Sequence, residues 1–237
     1  MNIMLIGGGG REHAILRSLK KNPTVETVWM LPGNGAMESE AICTGIGATD
    51  LDGIVAFAKE HKVDYAVVAP DDPLVLGCVD RLNELGIPCF GPKANAAIIE
   101  GSKAFSKDLM KKYGIPTAKY EIFTELDKAL EYLKTAPIPT VVKADGLALG
   151  KGVIIAMTRE EAVEAVTDMM AGGKFGASGT TVVIEEFLEG PEVSVLSFTD
   201  GKTVKPMVSS MDHKRARDND EGLSTGGMGT IAPNPYY

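Results

Sequence analysis

The stretch TVVKADGLALGKGVII, residues 140–155, holds two lysines in a glycine-spaced loop between two apolar runs. Gly146, Gly150 and Gly152 let backbone amides approach an anion closely, and Lys143 and Lys151 supply positive charge, so the pattern suits phosphate. It is not a P-loop. The spacing G-x-x-x-x-G-K requires glycine where Asp145 stands, and Gly152 replaces the Ser or Thr after the lysine. A solvated strand end would be the plain explanation of Lys143. Its apolar neighbours Val142 and Ala144 favour a functional one.

Three other clusters could do chemistry. The quartet from Gly7 to Gly10 follows an apolar run and precedes a helical pattern, the geometry of an anion site at a helix N-terminus. Four glycines cost much chain entropy, which favours close approach of a ligand over a simple tight turn. The dinucleotide fingerprint fails there, because Glu12 stands where the third glycine belongs. In VIEEFLEGPEVS, Glu185 and Glu186 are strand neighbours and must point to opposite faces. A strand-end backbone can read an adenine edge, and Glu192 could accept from a ribose hydroxyl, although three glutamates in eight residues are also ordinary surface. Lastly, Asp212, His213, Lys214, Arg215 and Arg217 precede a second glycine cluster, Gly226, Gly227 and Gly229. Cations plus a glycine turn make an anion site plausible, against the alternative of a charged loop.

The elements that must position these residues fall into two groups. Residues 1–100 alternate strands (NIMLI, VETVWML, DYAVVAP, IPCFGP) with helices over 11–20, 51–60 and 74–85, the second opened by Asp50 as N-cap. This rhythm predicts an α/β parallel sheet with ligands at the strands' carboxyl ends. Beyond a boundary near residue 101, helices over 102–113, 124–134 and 159–170 mix with strands TVVKADG, GVIIAM, TVVIEEFL, EVSVLSF and VKPMVSS, which predicts an antiparallel or mixed sheet. The end, EGLSTGGMGTIAPNPYY, is expected to close no helix or strand.

Composition narrows the function. The 237 residues are 44% hydrophobic and 24% charged, ordinary for a globular chain, and the formal net charge of -8 argues against nucleic acid or an anionic membrane as partner. Three scattered cysteines suggest neither disulfides nor zinc, but buried thiols in a reducing cytoplasm. No signal peptide and no membrane-length apolar run is read.

Taken in order, GGGGREHA, PGN, PLVLG, FGP, EGSKAFSKD, YGIPTA, VVKADGLALGKGV, IEEFLEGPEVS, DHKR and TGGMG resemble the ATP-grasp ligases, and within them the phosphoribosylamine–glycine ligases. The resemblance runs from residue 7 to residue 229. It implies a Rossmann-like, pre-ATP-grasp domain over 1–101, an α+β ATP-grasp linker and lid over 102–189, and the start of a central subdomain over 190–237. The implied reaction uses ATP to phosphorylate glycine. The amine of 5-phosphoribosylamine then attacks the glycyl phosphate, giving glycinamide ribonucleotide, ADP and phosphate. Such chemistry needs cations and positioning rather than a protein nucleophile.

By that resemblance Lys103 and Lys143 hold ATP phosphates, and Gly150, Lys151 and Gly152 form a lid. Glu185, Glu192 and the backbone of Glu186, Phe187 and Leu188 hold adenine and ribose. Gly9, Gly10, Arg11, Glu12 and Asn34 line the phosphoribosylamine end. Asp212, Lys214, Arg215 and the turn Gly226, Gly227, Met228 and Gly229 bind substrate near the reacting carboxylate. Asp71 stands where the family commonly has Glu, and Ala216, Arg217, Leu223 and Ser224 also depart from its pattern.

The family's chains run further than this one. The ligands of Mg²⁺ or Mn²⁺ are therefore expected beyond Tyr237, and a truncated chain with little turnover of its own is the expectation, as a monomer or weak oligomer in the cytoplasm. The alternatives are another ATP-grasp enzyme, a nucleotide-binding module without catalysis, and an NAD-dependent oxidoreductase. The paired DHKR and TGGMG motifs weigh against the first two, and Glu12 against the last.

Overall fold

The protein is described from a computed structural model that covers residues 1–146, 152–172 and 179–237, except the side chains of Asp220 and Ser224. It divides into two compact units, Met1–Ser106 and Lys107–Tyr237.

The first unit is built on β1 (Asn2–Gly7), α1 (Gly10–Leu19), β2 (Thr27–Pro32), β3 (Ile42–Cys43), α2 (Leu51–Glu60), β4 (Tyr65–Val68), α3 (Asp71–Val75), α4 (Cys78–Glu84), β5 (Cys89–Phe90) and α5 (Ala94–Gly101). Its five strands are all parallel, in the order β3-β2-β1-β4-β5. Strand alternation explains why NIMLI reads as unbroken apolar sequence. Met4 and Ile6 pack into one core with Ile54 and Leu82, and Ile3 and Leu5 pack into another with Leu16 and Met37. The chain moves outward from β1 to β3, then returns to β4 on the other side of β1. That reversal leaves a crevice at the carboxyl ends of β1 and β4.

Asp50 caps α2 as expected, accepting from Gly53 N at 2.9 Å. The helix expected over 74–85 is instead two, because Gly77 adopts φ +88° between α3 and α4. Strand β3 and helix α5 were not expected.

Glu40 ties α1 to the turn after β2. It accepts from Arg17 Nη2 at 3.0 Å and lies 2.9 Å from His13 Nε2, while Lys20 Nζ donates to its carbonyl at 2.7 Å. The Arg17 hydrogen bond, helped by His13, holds the Glu40 carboxyl at about 2, below its ordinary 4.5. A depressed folded-state pKa contributes stability above the unfolded value and loses it as pH falls through the folded one. The Tm gap between wild type and Glu40→Gln, read by fluorescence of Trp29, is therefore expected to hold above pH 4.5 and to close toward about pH 2. A gap independent of pH rules this linkage out.

Helix α6 (Lys103–Tyr113) crosses the division. The second unit continues with β6 (Tyr120–Phe123), α7 (Leu126–Leu133), β7 (Thr140–Ala144), β8 (Val153–Ala156), α8 (Arg159–Met170) and β9 (Val182–Glu186). These strands form an antiparallel sheet, β6-β9-β7-β8. One face carries Val142, Ala144, Val182 and Ile184, which pack on Leu133 of α7 and on Ala162, Val166 and Met169 of α8. A capping box starts α8: Thr158 Oγ1 accepts from Glu161 N at 3.2 Å, and the Glu161 carboxylate accepts from Thr158 N at 3.3 Å.

Then come β10 (Ser197–Thr199), β11 (Val204–Pro206), β12 (Met211–Asp212), β13 (Arg215–Arg217), β14 (Glu221–Ser224) and β15 (Thr230–Ile231). They pair antiparallel as β10 with β11, β12 with β15, and β13 with β14. The glycine-rich end thus supplies two strands where none was expected. Strands of two to four residues carry too few positions for alternation to reveal them.

Candidate functional site

In the first unit, the glycine quartet closes β1 and opens α1. Three of its glycines are constrained by internal packing rather than by a ligand, Gly9 among them because a Cβ there would lie 2.8 Å from Glu12 Oε2. Gly7 has φ +121°, and a Cβ there would lie 2.5 Å from Glu12 Cγ; a Cβ on Gly8 would lie 2.6 Å from Gly33 O. The buried Glu12 carboxylate accepts from Gly9 N at 2.6 Å, the reciprocal half of a helix cap. Asn34 is also engaged: its Nδ2 donates to Gly8 O at 2.7 Å and its Oδ1 accepts from Ala36 N at 2.8 Å. Gly9, Gly10 and Arg11 are exposed, and a Cβ on Gly10 would meet open space. The groups left to meet an anion are therefore the first amides of α1 and Arg11, framed by Glu12 and Asn34.

In the second unit, the face of the sheet opposite α7 and α8 carries the charge. Strand register places Val141 and Tyr120 beside Glu185, with Lys143 on the same face one step along β7. Glu185 is shared by two lysines: Oε2 lies 3.0 Å from Lys107 Nζ, and Oε1 lies 3.0 Å from Lys143 Nζ. Lys107 and Glu185 are both buried, whereas the Lys143 side chain keeps 27% of its surface. Lys107 also donates to Thr117 Oγ1 at 2.7 Å and lies 3.4 Å from Ala118 O, so its donors are used. Among the described residues Glu185 Oε1 finds no aligned hydrogen-bond donor, and this buried acceptor keeps spare capacity.

Sequence reasoning missed Lys107. The available signal was its place four residues after Lys103, on one side of a helix. Lys103 is the first residue of α6 and belongs to the first unit. Glu186 is exposed and accepts from Lys119 N at 3.2 Å, while its own N–H donates to Lys119 O. Phe187 is half-buried and Leu188 exposed. Gly152 is buried, and its carbonyl accepts from Ala144 N at 2.8 Å. Gly150 and Lys151 lie outside the described residues.

The two motifs at the end form one device. Asp212 pairs with Thr230 across β12 and β15. His213 N donates to Gly229 O at 3.0 Å, Met228 N to His213 O at 2.7 Å, and Thr225 N to Lys214 O at 2.8 Å. Arg215 Nη1 donates to Gly222 O at 2.6 Å. Lys214 Nζ reaches Glu192 Oε1 at 2.7 Å, which joins the residue expected at a ribose to the segment expected at substrate. Asn234, also missed, is 3% exposed and donates to Glu192 O at 2.9 Å and to Ser210 O at 3.1 Å.

Gly227 has φ +114°, and a Cβ there would lie 2.7 Å from Asp212 Oδ1. Gly227→Ala is expected to cost about 1–2 kcal/mol and to loosen the Met228 and Thr225 amides in hydrogen exchange. Gly226→Ala, with open space at its Cβ, is the control and leaves them protected. Equal loosening by both rules out the steric account.

Among the described residues no group of three or more His, Cys, Asp or Glu is placed to hold a metal ion by itself. Burial pushes the thiols of Cys78 and Cys89 up to about 12 and about 11, which leaves them protonated and unreactive at neutral pH. None of the described helices is long and apolar enough to cross a membrane.

Comparison with known proteins decides the family. Residues 1–100 match the phosphoribosylglycinamide synthetase N domain, and residues 101–237 match the phosphoribosylglycinamide synthetase ATP-grasp (A) domain. The chain belongs to the phosphoribosylglycinamide synthetase family. It is 50% identical over 237 residues to a phosphoribosylamine–glycine ligase of Halalkalibacterium halodurans, covering 100% of this chain and 55% of that protein. The corresponding ligase of Vibrio vulnificus is 52% identical, over 99% of this chain and 55% of its own length. The crystal structure of phosphoribosylamine–glycine ligase from Thermotoga maritima superposes with a TM-score of 0.80 at 35% identity, over 97% of this chain and 55% of that one. The chain thus spans about half the length of the curated relatives it matches. Membership in the phosphoribosylglycinamide synthetase family agrees with the fold read from sequence, a parallel-sheet domain followed by an α+β ATP-grasp region.

Proposed function

We propose that this chain supplies the nucleotide-phosphate and substrate-side parts of an ATP-dependent ligase that joins glycine to 5-phosphoribosylamine. The observation that carries the reading is the partly exposed Lys143, held on a buried carboxylate, in a chain half-identical to such ligases. Lys143 meets ATP phosphate from the second unit, and the backbone of Glu186, Phe187 and Leu188 with Glu192 takes adenine and ribose. Asp212, Lys214, Arg215 and the Gly227 turn bind substrate at the reacting carboxylate. The α1 amides and Arg11 take the phosphate of phosphoribosylamine. Positioned cations stabilise the charge of phosphoryl transfer to glycine, and the amine then displaces phosphate from the acyl phosphate. The divalent cation of such chemistry neutralises phosphate charge. No step here is routed through that cation.

The test has two parts. Calorimetry with ATP and with NAD is expected to show binding of ATP alone; binding of NAD instead overturns the reading in favour of an oxidoreductase. ADP release that requires both glycine and freshly generated phosphoribosylamine is the direct measure of the ligase. Release that ignores glycine would place the chain in another ATP-grasp branch.

A further inference from the structure

The second unit holds two lysines on one carboxylate, both at 3.0 Å, and among the described ion pairs of Glu185 no other cation takes part. The cluster therefore carries a net positive charge. Burying a charge is costly unless it is matched. The two lysines are not equivalent in meeting that cost. Lys107 is 8% exposed at its side chain and spends its donors on Glu185, Thr117 and Ala118. Lys143 is 27% exposed and, among the described residues, pairs with Glu185. The surplus charge thus falls at Lys143, the end of the cluster that solvent or a ligand can reach.

We infer that Lys107 is a positioning residue that neutralises Glu185 and so leaves the charge of Lys143 available to a phosphate. Without Lys107, Glu185 and Lys143 would form a closed neutral pair, and a phosphate would have to compete with a buried carboxylate for the same ammonium. With Lys107 present, the carboxylate still orients Lys143 but its charge is already answered. Thr117 and Ala118, from the stretch YGIPTA, hold Lys107 in place through its remaining donors. This rests on the reading of Lys143 as a phosphate ligand.

The experiment compares dissociation constants for ATP and for adenosine in wild type, Lys107→Met, Lys107→Gln and the double variant Lys107→Met with Glu185→Gln. A charge-assisted phosphate contact corresponds to roughly tenfold to hundredfold in affinity. Lys107→Met and Lys107→Gln are expected to weaken ATP by about tenfold and to change adenosine by less than about twofold. The double variant, with no carboxylate left to compete for Lys143, is expected to regain most of the ATP affinity. A merely structural role predicts no such regain. Circular dichroism checks that each variant folds, and Lys107→Gln carries the test should Lys107→Met fail to fold. A wild type that prefers ATP to adenosine, with both Lys107 variants binding ATP as tightly, overturns this inference alone. So does a parallel loss for ATP and adenosine with no recovery in the double variant. A wild type that binds ATP no better than adenosine overturns the phosphate reading, and this inference with it.

Discussion

Glu185→Ala is expected to lower the stability of the second unit by about 3–5 kcal/mol, the usual cost of removing one partner of a buried ion pair. Glu185 is 5% exposed, and two ammonium groups stand 3.0 Å from its oxygens. Lys143 can turn outward when the carboxylate is lost, because part of its side chain already meets solvent. Lys107 cannot: it would keep a full charge in the interior with no carboxylate among the described residues, left to Thr117 Oγ1, Ala118 O and the face of the Tyr120 ring, 5.5 Å away. Urea denaturation followed by far-UV circular dichroism measures the loss. Adding Lys107→Met to Glu185→Ala removes the stranded cation, so the double variant should be more stable than Glu185→Ala alone. That sign reversal separates charge burial from the loss of side-chain packing, which would make the double variant worse. A cost below about 1 kcal/mol, the size of an exposed ion pair, would mean that the cluster is not electrostatically buried.

The same cluster marks the limit of what the sequence discloses. The run Thr140 to Ala144 is a strand because its residues are β-branched and apolar, and Lys143 is conspicuous for interrupting it. Strand alternation says that Glu185 and Glu186 face opposite ways, but not which of them faces in. That is decided by β9 lying between β6 and β7, with Glu185 beside Tyr120 and Val141. Both pairings join segments distant in the chain, so no local pattern announces them. Lys107 is hidden for the same reason. Its helix exposes Phe105 and Tyr113, and the burial of a lysine among them depends on a carboxylate far along the sequence.

Local signals served well where the cause was local. Helix α8 begins where Thr158 and Glu161 form a capping box, and α2 begins at Asp50. They failed where one residue's backbone overruled a pattern. The apolar period over 74–85 continues through Gly77, whose positive φ breaks the helix in two. As sequence, the glycine quartet suggests room for a ligand. Gly7, Gly8 and Gly9 are instead kept free of Cβ by Glu12 and Gly33, the Gly9 amide is taken by the Glu12 carboxylate, and of the four only Gly10 faces open space. A glycine signals that a side chain is excluded, without saying what excludes it.

Lys143→Met is expected to separate binding from stability. Removing Lys143 leaves Glu185 paired with Lys107, a neutral buried pair with its partners in place, so the urea midpoint should shift little. ATP binding should instead weaken by about a hundredfold, close to 3 kcal/mol, because the phosphate loses the cation that the cluster offers to solvent. Adenosine, which has no phosphate, should bind as before. Glu185→Ala is then the stability variant and Lys143→Met the affinity variant of one three-residue cluster, a division that follows from 6% against 27% side-chain exposure. Calorimetry with both ligands, run beside the denaturation curves, gives the comparison. If Lys143→Met destabilises the chain as much as Glu185→Ala and leaves ATP binding untouched, Lys143 is a structural ion and the phosphate must be held elsewhere. If ATP affinity falls while the urea midpoint stays, Lys143 is held in place by its carboxylate and spends its charge on the ligand.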